Sequence, residues 1–478
     1  MYKVLYAAFE AVPFIKSGGL ADVAFSLPKA LRQIGIDVRV VIPKYLQIPQ
    51  EFKKEMTFLK SFNVKVGWRN QYCGIEYLEY DGIPFYFVDN EYYFKRDGGY
   101  NSYYDDGERY SFFCRAVLEM IENLNFKPNI IHCNDWHTGM ISPLLNIQYR
   151  NNHQYSNIKT AFTIHNLKYQ GVFPKEILGD LLNLRMEYYH PDALEFFGGI
   201  SFIKGGIKYS DIVTTVSKTY ADEIQYKYFG ENLDGLIRAR RNDLYGIVNG
   251  IDYDLYNPEK DEHIFLEYNS DCYERKQENK IDIQRLLNLP ERKDVPLIGI
   301  VSRLAHMKGL DLILHVLDEL LEENIQIVIL GTGEAYFEGK LREYQHKYPQ
   351  KISTQILFDE SLAHKIYAAS DMFVMPSKFE PCGLSQLIAL RYGTLPIVRE
   401  TGGLKDTVIP YNEYTGKGNG FSFTNYNAHD MLYTIKRALG FYEDKNTWKK
   451  IVSNAMNGDY SWRRSAEAYK GLYEKLCS

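Results

Sequence analysis

The chain has 478 residues, 45% of them hydrophobic, and a formal net charge of -5. This length exceeds what a single hydrophobic core usually holds, so we expect two domains. The negative charge argues against a nucleic-acid partner. No stretch approaches the roughly 18 consecutive apolar residues that a membrane span requires, and the sequence opens without a signal-type leader, so we expect a cytoplasmic protein with no membrane partner.

The sequence contains six cysteines: Cys73, Cys114, Cys133, Cys272, Cys382 and Cys477. None of them stands in a C-x-x-C pair, and their spacing is not that of a disulfide framework. This distribution favours a reducing compartment.

Strand-like and helical patterns alternate in the first half of the chain, which predicts a parallel sheet with crossover helices. Strands are predicted at 3–9, 37–42, 130–133, 160–164 and 212–216, and helices at 21–34, 108–124 and 136–150. Three short strands predicted at 57–66, 74–79 and 84–88 break this rhythm, and we expect them to be antiparallel additions. The polar stretch 226–290 contains four glycines and predicts loops together with the crossing between domains.

A second α/β series follows in the other half of the chain. Strands are predicted at 297–302, 326–330, 352–356 and 372–375, and helices at 310–322, 336–348, 363–369 and 384–392. Residues 428–478 have the spacing of three further helical segments. We therefore predict an α/β protein with two doubly wound sheets.

The segment between the predicted strand 372–375 and the predicted helix 384–392 is a candidate ligand-binding turn. In open parallel sheets, ligands bind beyond the carboxyl ends of the strands, where a helix start offers free backbone N–H groups. The N–H groups of Cys382, Gly383 and Leu384 are candidates for holding a phosphate, and Glu380 for accepting hydrogen bonds from sugar hydroxyls. An ordinary strand-to-helix turn would have the same pattern.

A glycine loop, Lys16-Ser17-Gly18-Gly19, follows the first predicted strand. Paired glycines allow a close approach of the backbone to a ligand, and Lys16 supplies a positive charge for phosphate. The loop lacks the G-x-G-x-x-G spacing of dinucleotide-binding proteins. A purely structural turn fits the same residues.

Two cations follow the first strand of the second series. Arg303 offers a planar fork of donors and Lys308 a point charge, a pair that suits a diphosphate better than a single carboxylate. A basic turn exposed to solvent is the alternative.

Histidines follow two neighbouring strands of the first half. The segment His132-Cys133-Asn134-Asp135-Trp136-His137 holds possible metal ligands, but neighbours at a strand end alternate sides, so we favour contacts with a sugar over a metal. Trp136 could offer a flat apolar face to a sugar ring, and His165-Asn166 ends the next strand in the same way. Asp252-Tyr253-Asp254 imitates a manganese-binding D-x-D motif, but its polar context argues against that function.

Seven short motifs, several of them described above, occur in order along almost the whole chain. They are Lys-x-Gly-Gly-Leu-Ala-Asp at 16–22, Asp-Trp-His at 135–137, His-Asn at 165–166, Asn-Gly-Ile-Asp at 249–252, Ser-Arg-Leu at 302–304 with Lys308, Glu-Pro-Cys-Gly-Leu at 380–384, and Thr-Gly-Gly-Leu at 401–404. In this respect the sequence resembles the bacterial glycogen synthases and the plant starch synthases.

The resemblance implies a GT-B architecture, with two Rossmann-like domains around a deep cleft. It implies an N-terminal, acceptor-side domain over 1–245, a crossing near 226–290, a nucleotide-sugar domain over 246–460, and a C-terminal helix, 461–478, that returns to the first domain. The implied reaction moves glucose from ADP-glucose to the nonreducing end of glycogen or another α-1,4-glucan, with retention of configuration. No cofactor and no metal are implied.

The resemblance also implies a role for each matching residue. Catalytic roles are implied for Glu380, Arg303, Lys308, His165 and Asp135. Donor-binding roles are implied for Lys16, Gly18, Gly19, Asp22, Asn249, Phe358, Cys382, Gly383, Leu384 and Thr401. Acceptor-side roles are implied for Trp136, His137 and Asn166.

Three positions depart from related patterns. Ser17 stands where threonine is usual in the family, and Phe358 where a tyrosine lies against adenine, which keeps the stacking and loses the hydroxyl. Ile388 replaces the second glutamate of the broader Glu-x7-Glu pattern, which counts against a UDP-sugar transferase of the wider group.

Other functions remain open from the sequence. A UDP-glucose-using glucan synthase, a glucan phosphorylase or a sugar-nucleotide epimerase would use the same fold. A glucan-binding protein without catalysis belongs to a different class, and the presence of every charged residue of the motifs argues against it. The motifs carry no information on oligomeric state.

Overall fold

A computed structural model of the chain describes residues 2–97, 103–124 and 126–478. The chain divides into two units, one formed by Met1–Asn249 with Trp462–Ser478 and the other by Gly250–Ser461. The division falls a few residues after the predicted boundary at 245. Each unit has its own hydrophobic core. No helix among the described residues is both long and apolar enough to cross a membrane.

The first unit is built on a mostly parallel sheet. Its described strands are β1 (Lys3–Ala7), β2 (Asp37–Pro43), β3 (Thr57–Val66), β4 (Arg69–Tyr80), β5 (Ile83–Asp89), β6 (Ile130–Asn134), β7 (Lys159–Ile164), β8 (Val172–Pro174), β9 (Glu195–Phe196), β10 (Gly199–Ser201), β11 (Ile212–Thr215) and β12 (Leu244–Gly246). Its described helices before residue 250 are α1 (Gly19–Gln33), α2 (Gln50–Glu55), α3 (Glu91–Phe94), α4 (Asp106–Asn123), α5 (Ile141–Leu144), α6 (Ile177–Asp180), α7 (Phe202–Tyr209), α8 (Lys218–Glu223) and α9 (Asp234–Ala239).

The large sheet of this unit has the strand order β12-β11-β7-β6-β1-β2-β5-β4-β3. From β1 the chain builds outward to β2 on one side and later to β6 on the other, so the strand order reverses between β1 and β6. A reversal of this kind opens a crevice at the carboxyl ends of the two strands. Strands β8, β9 and β10 form a separate small sheet.

The predicted antiparallel strands are confirmed for β3 and β4 and only half right for β5. β5 pairs antiparallel with β4 but parallel with β2. The long excursion through α2 and the β3–β4 hairpin acts as a crossover, and a crossover returns the chain in the direction of the strand it left.

The predicted helix 136–150 is wrong as one element. The segment contains a 3₁₀ turn (Trp136–Thr138), then α5, then a π-helical turn (Leu145–Tyr149). Pro143 has no N–H to donate, so it fits the first turn of a new helix and not the interior of a long one. Gly139 also lies so close to the Phe202 carbonyl that a Cβ there would stand 2.1 Å from its oxygen.

The second unit carries a six-stranded sheet among its described residues. Its strands are β13 (Leu297–Val301), β14 (Gln326–Leu330), β15 (Ile352–Gln355), β16 (Met372–Met375), β17 (Leu395–Arg399) and β18 (Phe421–Phe423). Its helices are α10 (Lys276–Leu286), α11 (Leu310–Glu322), α12 (Ala335–Lys347), α13 (Glu360–Ala369), α14 (Ser385–Arg391), α15 (Gly402–Thr407), α16 (Ala428–Glu443) and α17 (Lys445–Met456).

All neighbouring strands of this sheet are parallel, in the order β15-β14-β13-β16-β17-β18. Numbered from β13, this is the 3-2-1-4-5-6 order of the Rossmann fold, with its switch point between β13 and β16. Strands such as β14 are apolar over most of their length and fully buried, as expected for a sheet covered on both faces. Helix α11 buries leucine, isoleucine and valine at helical spacing along one side.

The last helix, α18 (Trp462–Cys477), belongs to the first unit. The Tyr473 hydroxyl lies 2.6 Å from His132 Nδ1, and Ser465 Oγ donates to the Val248 carbonyl at 2.6 Å. Both bonds join α18 to strands or strand ends of the first sheet. The three helical segments predicted for 428–478 correspond to α16, α17 and α18.

The predicted loop stretch 226–290 is wrong in part, because it contains α9, β12 and α10. Helix α10 lacks a clear apolar pattern because its buried side is largely polar and includes Lys276, Asn279 and Lys280. Lys280 Nζ lies 2.6 Å from Asp371 Oδ2, and both side chains are almost fully buried. The same ammonium donates to the Val295 carbonyl at 2.9 Å.

This buried ion pair generates a stability prediction. We expect Asp371→Ala to lower the free energy of unfolding by about 3 kcal/mol or more, because it leaves the Lys280 ammonium buried without its counter-charge. Urea unfolding of the full chain, followed by circular dichroism, measures the change. Arg292→Ala is the matched control: it removes an exposed ion pair with Asp294, and we expect it to change little. Equal effects of the two variants would contradict the prediction.

Candidate active site

The switch point of the second unit brings the predicted cations and carboxylate together. Lys308 follows β13 and Glu380 follows β16, and Lys308 Nζ lies 2.5 Å from Glu380 Oε2. Ser377 Oγ donates to the same oxygen at 2.9 Å. Glu380 is 7% exposed, whereas Arg303 is exposed at the end of β13. The ion pair therefore joins the carboxyl ends of two central strands. The Arg303 guanidinium lies in the same loop as Lys308 and contacts Met307 Sδ at 3.7 Å.

A glycine makes this close approach possible. Gly309, next to Lys308, has φ +76°, and a Cβ there would stand 2.2 Å from the Pro376 carbonyl oxygen. Any other residue would strain the backbone and push the two loops apart. The Lys308–Glu380 geometry thus depends on a close contact between the loop after β13 and the loop after β16.

The turn at Cys382, Gly383 and Leu384 immediately precedes α14, as the sequence predicted. Gln386 Nε2 donates to the carbonyls of Cys382 and Gly383, at 3.0 Å in each case. These bonds fix the orientation of the peptide units that the sequence proposes for phosphate. Thr401, at the corresponding position after β17, is fully buried.

Phe358 lies between β15 and α13, beyond the carboxyl end of the sheet's edge strand. Its ring is 81% exposed, which is unusual for a phenylalanine. A flat apolar ring in this position is available to stack on another planar group.

In the first unit, the glycine loop after β1 is held by a residue that sequence reasoning missed. Glu10 is 1% exposed, and it accepts hydrogen bonds from the backbone N–H and from Oγ of Ser17. Burial raises the pKa of Glu10 to about 7, against the opposing effect of the hydrogen bonds from Ser17 and Ala21. Its signal in the sequence is a lone acidic residue directly after an apolar strand.

The charged residues of the glycine loop lie close to one another. Lys16 Nζ is 3.0 Å from Asp22 Oδ1, and both side chains are partly exposed. Gly18 and Gly19 form the junction between the loop and α1. Lys16 therefore lies in the loop after β1, as predicted, and pairs with a residue in the first turn of α1.

Asp135 connects the ends of β6 and β7. It has φ +55°, and its Oδ1 accepts the backbone N–H of His165 at 2.8 Å. Burial raises the pKa of Asp135 to about 7, although hydrogen bonds from the backbones of His165 and Asn166 oppose the shift. The structure thus brings three predicted residues from two adjacent strands to one place.

His165 is a neutral side chain with one ring nitrogen already engaged. Its Nε2 lies 2.9 Å from Asn134 Oδ1, which also accepts from the Tyr6 hydroxyl. Since an amide oxygen only accepts, we infer that Nε2 carries the proton and that Nδ1 is the acceptor. Burial lowers the pKa of His165 to about 3. The ring can therefore act as a hydrogen-bond partner for a sugar and is not a cation at neutral pH.

The ring of His137, which the resemblance places on the acceptor side, is packed between two other aromatic rings. The ring of His137 is stacked between Phe9 at 3.6 Å and Trp136 at 3.9 Å, so both of its faces are covered. Burial lowers the pKa of His137 well below its usual value. Only the edge of this ring could contact an acceptor. Trp136 is half-buried, and Asn249, at the end of the first unit's main segment, is buried.

The histidine and cysteine at the start of this segment are structural. His132 contacts Tyr473 and Thr163 through its two ring nitrogens, and Cys133 is buried in the core. Asp254 pairs with Lys260 at 3.0 Å. Among the described residues, no group of three or more histidine, cysteine, aspartate or glutamate side chains is arranged to hold a metal ion.

Each unit therefore presents a distinct set of chemical groups at its switch point. The second unit offers cations, a positioned turn and an exposed ring, which suit the phosphates and base of a nucleotide. The first unit offers buried carboxylates, a neutral histidine and aromatic rings, which suit an uncharged, hydroxyl-rich ligand.

Comparison with known families matches both halves of the chain. The family of the starch synthase catalytic domain matches residues 3–239, and the family of glycosyl transferases group 1 matches residues 287–456. The glycogen synthase of Desulforamulus reducens is 58% identical, over 99% of this chain and 98% of its own. The glycogen synthase of Clostridium acetobutylicum is 60% identical, over 98% of this chain and 99% of its own.

Solved structures agree with the sequence relatives. The catalytic domain of starch synthase IV from Arabidopsis thaliana, bound to ADP and acarbose, superposes with a TM-score of 0.91 at 33% identity, covering 100% of this chain and 99% of that one. Sucrose-phosphate synthase from Thermosynechococcus elongatus shares the fold, with a TM-score of 0.63 at 17% identity. The predicted two-domain α/β fold of GT-B type is confirmed. The chain therefore belongs to the glycogen synthase family, and it is a glycosyltransferase enzyme of glycogen biosynthesis.

Proposed function

We propose that the enzyme transfers glucose from ADP-glucose to the nonreducing end of an α-1,4-glucan, with retention of configuration and without a metal ion. The observation that carries this proposal is the Lys308–Glu380 pair at the switch point of the second unit, with the exposed Arg303 in the same loop as Lys308. Parallel sheets of this strand order bind nucleotides at that point. The ADP and acarbose bound to the Arabidopsis starch synthase IV support the same classes of donor and acceptor here.

The two cations would bind the diphosphate of the donor. An ammonium has three N–H donors, so Lys308 can keep its bond to Glu380 and still donate to a phosphate oxygen. Arg303, which is exposed, offers a planar fork to a second oxygen. The described hydrogen bonds of Glu380 use only Oε2, which leaves Oε1 for a sugar hydroxyl.

The reaction breaks the bond between C1 of glucose and the phosphate oxygen, and forms a bond between C1 and the hydroxyl oxygen of the acceptor. Negative charge grows on the leaving diphosphate, and Arg303 and Lys308 would stabilise it. The proton of the acceptor hydroxyl goes to the leaving phosphate on the same face of the sugar. ADP then leaves, and the glucan is one glucose longer.

The residues of the first unit would bind the sugars. His165 would contact the donor glucose through a neutral ring, in an orientation set by Asn134. Asp135 fixes the backbone of His165 and Asn166 and so keeps the ends of β6 and β7 in register. Trp136 and the edge of His137 would lie on the acceptor side. Lys16, with Gly18 and Gly19, would approach the donor's phosphates.

The first experiment identifies the nucleobase of the sugar-nucleotide donor. ADP-glucose and UDP-glucose are supplied separately with glycogen, and the release of nucleoside diphosphate is measured. We expect release from ADP-glucose to be much faster. A preference for UDP-glucose would overturn the choice of donor, and release from neither would overturn the reaction.

Arg303 and Lys308 together form the proposed diphosphate clamp, and we expect the removal of either side chain to lower turnover strongly. We expect Arg303→Ala and Lys308→Ala each to lower kcat at least about a hundredfold, since each removes one charge that stabilises the leaving group. Initial rates with saturating glycogen measure the loss. Arg342→Ala, which removes an arginine from the surface of α12, is the control, and its rate should not change. A near-normal rate in either clamp variant would refute the proposed contact.

The exposed ring of Phe358 predicts an effect on donor binding. We expect Phe358→Ala to raise KM for ADP-glucose about tenfold, as for the loss of one base–aromatic stacking contact, and Phe358→Tyr to leave it nearly unchanged. Titrations with ADP-glucose at a fixed glycogen concentration measure this KM for each variant. Tyr336→Ala removes another exposed ring, on α12, and is the control. If both alanine variants behave alike, Phe358 does not contact the base.

A further inference from the structure

A buried glutamine lies behind the turn of Cys382, Gly383 and Leu384. Gln386 is the second residue of α14, and none of its surface is exposed. Glutamine is mostly an exposed residue, and burial of its amide is unfavourable unless the amide is hydrogen-bonded. The hydrogen bonds of Gln386 therefore have to explain its position.

The Nε2 atom of Gln386 faces three hydrogen-bond acceptors. It donates to the carbonyls of Cys382 and Gly383, each at 3.0 Å, and it lies 3.2 Å from Thr407 Oγ1. Thr407 gives its own hydroxyl hydrogen to the Gly403 carbonyl at 2.6 Å, so its oxygen accepts from the amide. Of the two ends of a glutamine side chain, only the NH₂ group can serve acceptors.

The oxygen of the same amide has no such partner. Gln386 Oε1 is buried, and no donor in the described part of the chain reaches it. A Cβ on Gly383 would stand 2.4 Å from this oxygen, so the amide fits only against a glycine. A buried acceptor without a hydrogen bond is destabilising. Donation by Nε2 is therefore the reason for an amide at this position.

The two carbonyl bonds orient two peptide units of the turn. Both peptides are trans, and in a trans peptide the C=O and N–H groups point in opposite directions. Because the Cys382 and Gly383 carbonyls point towards the buried amide, the N–H groups of Gly383 and Leu384 point away from it. Gly383 and Leu384 are partly exposed, and no described group accepts a hydrogen bond from either N–H.

The backbone angles of the turn are those of an anion-binding concavity. Gly383 has φ +72°, in the left-handed region, and Leu384 has φ −111° and ψ −32°, in the right-handed region. Consecutive residues of opposite hand turn successive N–H groups to one side, where they can bind an anion together. The bonds to Gln386 hold the turn in this conformation.

A second loop supports the turn from behind. A Cβ on Gly402 would stand 2.0 Å from the Glu380 carbonyl oxygen, and a Cβ on Gly403 would stand 2.2 Å from the Cys382 carbonyl oxygen. The Gly403 N–H donates to the Pro381 carbonyl at 3.1 Å. The paired glycines of the motif at 401–404 thus let the loop after β17 pack directly on the loop after β16.

We propose that Gln386 is a positioning residue for the sugar-nucleotide donor. Its amide holds the two peptide units so that the N–H groups of Gly383 and Leu384 bind one phosphate of the diphosphate. Gln386 itself does not touch the donor. Donors that are oriented before the ligand arrives need no rearrangement as charge grows on the leaving group. The inference rests on the proposed function, because it takes the diphosphate as the ligand.

Titration calorimetry with ADP tests this role without any turnover. Gln386→Met keeps the length of the side chain and removes its donors. We expect it to raise Kd for ADP at least about tenfold, as for the loss of hydrogen bonds to a charged group. Gln386→Glu leaves at most one hydrogen to donate, so it should weaken ADP binding as well. An unchanged Kd in both variants would overturn the proposal.

Gln284→Met is the matched control. Gln284 is equally buried, on α10, and its amide donates to the Arg292 carbonyl and to Gln326 Oε1. We expect this variant to unfold at a lower temperature, measured by circular dichroism, and to keep its affinity for ADP. Equal losses of ADP affinity in Gln284→Met and Gln386→Met would mean that Gln386 supports only the fold, and the proposal would fail.

Adenosine, which has no phosphate, separates positioning from general damage to the site. Gln386→Met should bind adenosine within about twofold of the unmodified enzyme, and its KM for ADP-glucose should rise while its KM for glycogen stays within about twofold. A loss with adenosine as large as that with ADP would contradict the role. If ADP binding depends on Gln386 but no sugar nucleotide is turned over, the positioning role stands and the proposed reaction fails.

Thr407→Val provides the test if neither Gln386 variant folds. It removes one of the three acceptors that hold Nε2 and leaves the glutamine in place. We expect Kd for ADP to rise about threefold, because the amide is then less firmly oriented towards the turn. An ADP affinity equal to that of the unmodified enzyme would overturn the proposal.

Discussion

The ion pair between Lys308 and Glu380 shows how the second unit turns a fold into a site. Parallel strands end at the same edge of a sheet, and the reversal between β13 and β16 leaves room there for a ligand. Gly309 lets the two loops meet, so that a cation and a carboxylate from distant parts of the sequence share one oxygen–nitrogen contact of 2.5 Å. Because the positive charge of Lys308 is in position before the donor binds, it would stabilise a diphosphate leaving group without rearrangement.

The first unit uses the same geometry with different chemistry. The reversal between β1 and β6 gathers Glu10 and Asp135, two carboxylates whose burial raises the pKa of each to about 7. Both accept backbone N–H groups, and so they fix the glycine loop and the end of β7. The raised pKa values have a cost in stability. The stability that these two groups contribute to the folded state is fully present below their ordinary pKa values, near 4, and it is lost as the pH rises through 7. Buried acidic groups of this kind are typical of functional sites, where position matters more than stability.

Much of this could be predicted from the sequence because the relevant patterns are local. Apolar runs followed by turns predicted most strands of the two large sheets, though not β12, β17 and β18, and placed Lys16, Arg303 and Glu380 in the loops after their strands. Helix α10 was missed because its partners are remote in sequence: Lys280 is buried against Asp371, so a polar residue occupies the inner side of the helix. Glu10 was missed for another reason, because a lone acidic residue after a strand gives no pattern that distinguishes a buried carboxylate from an exposed one. The stacking of His137 between Phe9 and Trp136 depends on packing that no spacing rule encodes.

The proposed binding of the donor's diphosphate by Arg303 and Lys308 is the central step of the mechanism. Titration calorimetry with ADP and with AMP tests it without any turnover. We predict that the unmodified enzyme binds ADP at least about tenfold more tightly than AMP, and that the double variant Arg303→Ala, Lys308→Ala loses this preference. A double variant that still prefers ADP to the same degree would contradict the account.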